Sequence, residues 1–485
     1  MPLNSLISEA GSLKKSPLKA TASNTAVPKR KQLLRASIAH YPKSKPANKS
    51  ADERSCESLY QRFYERFYKE NIEIFTDGAL VIEDGIIRDI GDYATVVQKY
   101  PDAAISDYSG KWILPGLIDS HLHYPQTQSI ANYGDQLLSW LENYTFPAEM
   151  AFADEEHAKS IAKVFINQLL RNGTTTGFVF TTVHASSCQA LFSAASDINM
   201  AIVAGKVCMD RNCPAQLQDT PELAQRESAD LIDQWHNKGR NKYALTPRFA
   251  PTSSDAQLAA LGELATQYKD VFIQTHLSEN RDEIAWVNSL FPHADGYLDV
   301  YDKHHLVRER SVFGHGIHLK QDEWVRLGEA NATLAFCPTS NLFLGSGLFN
   351  IEQANANNVH VALATDVGAG TTFNMFKTYG DAYKVSQLRN APISPFEGFY
   401  LMTQGAAAAH QLDDEIGNLN PNTTADFIIV EPRYDELTAL RISENAAFED
   451  VFFALSILGD DRMIEQTWIS GQCCYNKKEN QHALA

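Results

Sequence analysis

Short apolar runs rich in β-branched residues recur eight times between about Leu114 and His410, and longer amphipathic stretches separate them. In chain order they are ILPGLIDSHLH (113–123), TTTGFVFTT (174–182), AIVAGKVCMD (201–210), YALTPRFAP (243–251), VFIQTHLSE (271–279), SVFGHGIHL (311–319), ATLAFCPTSN (332–341) and VHVALATDVG (359–368). The intervening segments EEHAKSIAKVFINQLLRNG (155–173) and DAQLAALGELATQY (255–268) repeat apolar residues at i, i+3 and i+4, the period of a helix with one buried face. Strands that alternate with helices predict a parallel sheet. Eight such alternations predict an α/β fold closed into a (β/α)8 TIM barrel.

The ends of the chain follow a different period. Residues 71–91 carry short β-rich runs (IEIF, ALVIEDG, IIRDIG), residues 33–41 also read as a strand, and strands return in ADFIIVEP (425–432) and QTWISGQCCY (466–475). This predicts a small β-sandwich domain assembled from both termini, with 33–113 as its N-terminal part, 114–410 as the barrel and 411–485 as its C-terminal part. Residues 43–55 read as a polar loop. Residues 1–32 are rich in Ser, Ala, Lys and Pro, have no apolar period and lack a continuous apolar core for a secretory signal. They are expected to be a disordered basic extension, with an organellar transit peptide as the alternative reading.

Composition narrows the partners. Of 485 residues 44% are hydrophobic and 10% aromatic, enough for a large core, and no stretch approaches the uninterrupted apolar length of a membrane span. A net charge of −17 argues against nucleic acid or an anionic membrane as a partner. The charge is uneven, because residues 1–50 hold ten Lys and Arg against a single acid, Glu9. Seven cysteines, none in a CxxC and two adjacent (Cys473 and Cys474), suit free thiols in a reducing compartment such as the cytoplasm. They do not suit a cysteine-built zinc site.

Candidate chemistry sits where the eight runs end. His121 and His123 close the first, His276 the fifth, His315 the sixth and Asp366 the eighth. The C-terminal ends of barrel strands are where separate segments converge on one point. Residues two apart on a strand face the same way, so His121 and His123 can grip one ion. With His276 and Asp366 they would leave positions open for water, as a catalytic Zn²⁺ requires. Any one of the 15 histidines is weak evidence alone; the joint pattern at converging strand ends carries the reading. His157, His236, His304, His305 and His360 fall away from those ends and are read as structural.

PGLIDSHLH, the three later strand-end residues, and the flanking ALVIEDGIIRDIG and TTADFIIV resemble the amidohydrolase superfamily. Finer motifs resemble its guanine deaminase family: HLHYPQ (121–126), SWLENYTFPAE (139–149), RNGTTT (171–176), GKVCMDRN (205–212), TPRFAPTSS (246–254), THLSENRDE (275–283), CPTSNLFLGSG (337–347) and ATDVGAGTTFNM (364–375). The resemblance spans residues 72–472. It implies hydrolysis of guanine to xanthine and ammonia by a zinc-activated water, in a homodimer. The alternatives are a related aminohydrolase acting on 8-oxoguanine, a triazine or a pterin, and a metal-free scaffold.

The same resemblance implies residue roles. Zn²⁺, one per chain, would be held by His121, His123, His276 and Asp366. Many superfamily members bridge two metals with a carboxylated Lys at the end of strand four, where this chain has Arg248, which stays protonated and cannot form that bridge. Lys206, on strand three, receives no bridging role. Glu279 would shuttle protons and Asp366 would take the proton of the water. His315 would flank the nucleophile, either as a ligand or from just outside the ligand set. Gln126 and Arg248 would read the purine edge, the structural alternative for Arg248 being a salt bridge to a neighbouring acid. Phe249 and Trp140 are either faces for the ring or core. Asp282 and Glu283 are read as solvated loop carboxylates, and Asn341 and His184 close family-like motifs without an assigned role. Asn422 and Thr423 stand where the family's turn usually has Gly.

Overall fold

β-Branched and aromatic residues at the two ends of the chain pair into one sheet in the computed structural model, which describes residues 31–43, 67–133 and 136–479. The extension expected over 1–32 lies outside the described residues except for its last two positions, as does the loop expected over 43–55 except for Lys43. The N-terminal strands are β1 (Gln32–His40), β2 (Glu73–Glu83), β3 (Ile86–Asp92) and β4 (Ala104–Pro115). The central strands are β5 (Leu117–His123), β6 (Thr174–Phe180), β7 (Ala201–Gly205), β8 (Val207–Cys208), β9 (Asn241–Pro247), β10 (Phe272–Leu277), β11 (Ser311–His315), β12 (Thr333–Phe336) and β13 (His360–Leu363). The C-terminal strands are β14 (Phe427–Val430), β15 (Ile464–Ile469) and β16 (Gln472–Asn476).

The termini meet in a seven-stranded mixed sheet of order β16-β15-β14-β4-β1-β2-β3. Its seam is the antiparallel β14–β4 ladder, which runs from Phe427 opposite Pro115 to Val430 opposite Trp112. Side chains alternate across this sheet. Leu34, Ala36, Ile38, Leu80 and Ile82 pack with Phe427 and Ile429, whereas Leu33, Ala79 and Val81 pack with Val96 on the helix Tyr93–Lys99. Asn422 has φ of 76°, a left-handed conformation that Asn tolerates better than other side chains, which accounts for its standing where the family's turn has Gly.

β5 to β13 form the parallel barrel, with β8 carrying on beside β9 where β7 leaves off. The eight predicted runs are its eight staves. Closure between β13 and β5 uses site residues: the Asp366 N–H donates to the His121 carbonyl at 2.9 Å, and Thr365 donates its N–H and hydroxyl to Asp119 at 3.0 and 2.5 Å. One buried apolar residue from each stave (Ile118, Phe178, Val203, Ala244, Phe272, Val312, Ala335 and Ala362) fills the barrel beneath the site, together with Ala406 and Ala407. The helix Glu155–Arg171 shows how the outer ring is held. Asp154 caps its start by accepting from Glu156 N, and Ala158, Ala162, Phe165, Ile166 and Leu169 form its buried stripe. Near the C-terminus the Phe452 ring packs at a tilt against Phe376 and Tyr379, with centroids 5.2 and 5.3 Å apart, tying helix Phe448–Leu458 to helix Met375–Leu388. No helix among the described residues is long and apolar enough to cross a membrane.

Candidate active site

A cavity opens at the C-terminal ends of the staves. Its lining includes His123, His276, His315, Glu279 and Asp366 together with Gln126, Trp140, Arg248 and Phe249. All the expected site residues except His121, which sits against the ring of His276 at 4.7 Å, reach this one space. Close packing holds the rings: a methyl group on Gly314 would lie 2.8 Å from the His121 ring, so that position admits only glycine. His315 and Asp366 have φ of 72° and 52°, left-handed conformations that non-glycine residues adopt at a cost and that concentrate at functional sites.

The donor atoms have the spacing of a shared ion. His123 Nε2 lies 3.2 Å from His276 Nε2, His121 Nε2 3.3 Å from Asp366 Oδ1, and His123 Nε2 3.4 Å from the same oxygen. Ligands about 2.0–2.1 Å from a tetrahedral zinc stand roughly 3.3 Å from one another. One donor atom each from His121, His276, His315 and Asp366 also falls within 4.8 Å of all the others. His121 Nε2 is buried with no hydrogen-bond partner. His276 Nδ1 donates to the Arg248 carbonyl at 2.6 Å, which leaves its Nε2 lone pair facing the cluster. These residues therefore fit a divalent cation. His315 Nε2 is likewise buried without a hydrogen-bond partner, 3.3 Å from Glu279 Oε2 and 3.9 Å from Asp366 Oδ2, while its Nδ1 pairs with Asn341 Nδ2 at 2.9 Å.

Electrostatics separates the two acids. Burial works to raise Asp366, but the imidazoles of His121 and His123 outweigh it and hold the carboxyl well below its usual range. Burial, then the charges of Asp366 and Glu283, push Glu279 well above its usual range. Burial lowers His123 to about 4 and His315 to about 3, and takes His276 well down too, so these rings stay neutral. One carboxyl held below its ordinary range and one pushed above it thus share the cavity, the separation that acid–base chemistry uses.

The structure corrects the sequence reading at Glu283. Glu283 is not a solvated carboxylate. It is fully buried, and its carboxylate accepts from the N–H groups of Glu279 at 2.9 Å and Asn280 at 3.1 Å and from the Tyr297 hydroxyl at 2.7 Å. With Asn280 it forms the capping box of helix Arg281–Leu290, which fixes the backbone that carries Glu279. Asp282 is exposed, as expected. Arg248 does make the salt bridge offered as its alternative: Nη1 donates to Glu149 Oε1 and Oε2 at 2.7 and 2.9 Å. It lines the cavity nonetheless.

Trp140 and Phe249 are both core and wall, packed in one apolar cluster with Leu137, Leu141 and Leu344. Ser346, which donates to Glu279 Oε1 at 2.9 Å, went unassigned in the sequence, as did Glu149 and the role of Asn341. Lys206 is buried beside Asp219 at 2.5 Å, away from the donor cluster. Among the described residues, His184 makes no side-chain hydrogen bond through Nε2.

A closed barrel with a histidine–carboxylate centre at its mouth defines the class: the chain belongs to the amidohydrolase family, whose profile matches residues 112–474. A short segment, 78–103, matches a bacterial imidazolonepropionase-like composite domain. Within the family, similar proteins include guanine deaminases. That of Escherichia coli is 49% identical over 407 residues, covering 84% of this chain and 93% of the relative. Its solved structure superposes with a TM-score of 0.86 over 92% of this chain and 100% of the other, at 45% identity. The guanine deaminase of Bradyrhizobium japonicum superposes with a TM-score of 0.85 at 34% identity, over 92% of this chain and all of that one. A guanine deaminase from C. acetobutylicum, solved with guanine in its active site, matches with a TM-score of 0.80 at 28% identity over the same shares.

Proposed function

We propose that the protein deaminates guanine hydrolytically to xanthine and ammonia. The observation that carries this reading is the cavity itself. It brings Glu279, whose carboxyl is pushed well up, and Asp366, whose carboxyl is held well down, together with Arg248 and Gln126, in a chain similar to guanine deaminases along most of its length. A single zinc, held by His121, His123, His276 and Asp366, would supply a water whose pKa falls towards about 7. His315, whose Nε2 lies 3.3 Å from Glu279 Oε2, would flank the nucleophile, either as a ligand or from just outside the ligand set.

The residues of the chain account for the protons. Asp366, kept ionised by the neighbouring imidazoles, accepts a proton from the attacking water. Glu279, kept protonated by burial, delivers a proton to ring N3 as oxygen bonds to C2. The bond from C2 to the exocyclic nitrogen then breaks. Of the two protons of the water, one finishes on N3 and the other leaves with ammonia, so guanine and water balance xanthine and ammonia. Ser346 holds the Glu279 carboxyl from the far side, and Glu283 holds its main chain.

Selectivity follows from donors. Guanine presents a carbonyl oxygen at C6 where adenine presents an amino group, and a guanidinium can donate to the first but accept nothing from the second. A buried donor left unpaired rejects the wrong ring. Phe249 and Trp140 supply apolar faces for the base. The reading extends to a cytoplasmic homodimer, supported by the family resemblance and by the scattered free cysteines; light scattering on the purified protein tests the assembly. The test of function is ammonia release across guanine, 8-oxoguanine, a triazine and a pterin. Guanine should give the highest kcat/KM, and metal-loaded protein that leaves guanine untouched would overturn the reading.

A further inference from the structure

Arg248 can present a donor to a carbonyl only if its guanidinium is held, and its main chain does not do this. The Arg248 N–H donates to the Cys208 carbonyl at 3.3 Å, and its carbonyl accepts from His276 N at 3.2 Å, His276 Nδ1 at 2.6 Å and Thr275 Oγ1 at 3.2 Å. Those bonds fix the backbone alone. The described residues give the guanidinium one hydrogen-bond partner, Glu149, whose two oxygens straddle Nη1 at 2.7 and 2.9 Å. Nε and Nη2 take no bond from it. Arg248 is 2% exposed and Glu149 0%, so the carboxylate also supplies the counter-charge without which a buried guanidinium is costly. Gln126, the other candidate reader of the purine edge, neighbours the same carboxylate.

The local fold explains how Glu149 arrives there. It lies on the short helix Phe146–Met150, directly after a π-helical turn over Leu141–Thr145. A π turn has a wider repeat than an α turn. Trp140 and Thr145, which line the cavity, therefore come to the side of the segment from which Glu149 reaches Arg248. Trp140 Nε1 and Thr145 Oγ1 are themselves buried without protein partners, which marks this wall as built for a polar ligand.

We propose that Glu149 is the positioning residue of the site: it holds Arg248 by one nitrogen so that the rest of the guanidinium is presented to the carbonyl oxygen of the base. This inference rests on the guanine reading above and deepens it. Binding through Arg248 is the same before and during the chemical step, so loss of Glu149 acts on KM more than on kcat.

The test measures kcat and KM for guanine, together with the inhibition constant of 2-aminopurine, which keeps the ring and the 2-amino group but lacks the 6-oxygen. Glu149→Gln should raise KM for guanine by about 10- to 100-fold, the worth of a charge-assisted hydrogen bond. The inhibition constant of 2-aminopurine should stay within about threefold, because that ring has no oxygen for Arg248 to bind. The double variant Glu149→Gln/Arg248→Met should discriminate no worse than Arg248→Met, since Glu149 acts through Arg248. If Glu149→Gln does not fold, Glu149→Asp, which keeps the charge and withdraws it by one methylene, should show the same split. Equal weakening of both ligands, or additive losses in the double variant, would overturn the inference. A wild-type protein that prefers guanine while Glu149→Gln keeps that preference would sink this inference alone; a wild-type protein inert towards guanine would sink the functional reading.

Discussion

Replacing Glu279 with Gln removes one exchangeable proton and changes little else. The side chain keeps its shape, so an amide oxygen can still accept from Ser346 Oγ, now 2.9 Å from the carboxylate, while Glu283 continues to hold the Glu279 N–H at 2.9 Å. What disappears is the acid that protonates N3. Such groups contribute about 10²–10⁴-fold in rate, or about 2.7–5.4 kcal/mol of barrier. The variant should therefore lose that much kcat with its metal content unchanged. Stability should move the other way. Burial, Asp366 and Glu283 raise the Glu279 carboxyl, so the unfolded chain ionises first as pH increases. The stability present in acid is lost as pH climbs from the usual carboxylate range through the raised pKa. An amide has no such loss, and Glu279→Gln should melt at or above the wild-type temperature on the alkaline side. The wild-type rate should also decline there as Glu279 gives up its proton, and the residual rate of the variant should lack that limb. Ammonia release, metal analysis and melting curves against pH are the assays. Near-normal turnover with full metal occupancy would refute the reasoning.

Other consequences are as direct. Metal analysis should return one ion per chain; a chelator should abolish ammonia release and lower the melting temperature, with zinc restoring both, and two ions per active chain would contradict the donor set at the mouth. Arg248→Met should lower kcat/KM for guanine by about 10²-fold and, by leaving Glu149 buried without its partner, cost about 3–5 kcal/mol of stability, read by denaturant unfolding. His410, packed under the barrel against Phe178 and bonded to Ser120 Oγ at 2.9 Å, is lowered by burial to about 3. Its neutral form supports the fold above the ordinary histidine pKa, and that support is lost as pH falls from 6.5 towards 3. His410→Gln should flatten the acid loss of stability over that window by about 1.4 kcal/mol per pH unit.

Much of the barrel was legible because each stave ends its apolar run in the chemistry it carries. The period-2 spacing of His121 and His123 and the placing of His276, His315 and Asp366 at run ends need only strand geometry to converge. What escaped depends on partners distant in sequence. Glu149 sits in a motif noted for its resemblance, but its partner Arg248 is 99 residues away and no local spacing ties the two. The π turn over Leu141–Thr145 shifts the helical face by a residue, which hides the side that Glu149 occupies. Glu283 was misread because its neighbours Arg281 and Asp282 are charged and exposed. The signal was present in Asn280-x-x-Glu283, the capping-box spacing that buries the acid against two backbone N–H groups.

Turnover of guanine by the zinc-loaded protein in ¹⁸O-labelled water, with the product analysed by mass spectrometry, tests the hydrolytic assignment most directly. The predicted result is xanthine carrying one labelled oxygen at C2, with one ammonia released for each guanine consumed. Unlabelled product, or no guanine turnover while a triazine, pterin or 8-oxoguanine is deaminated, would contradict it.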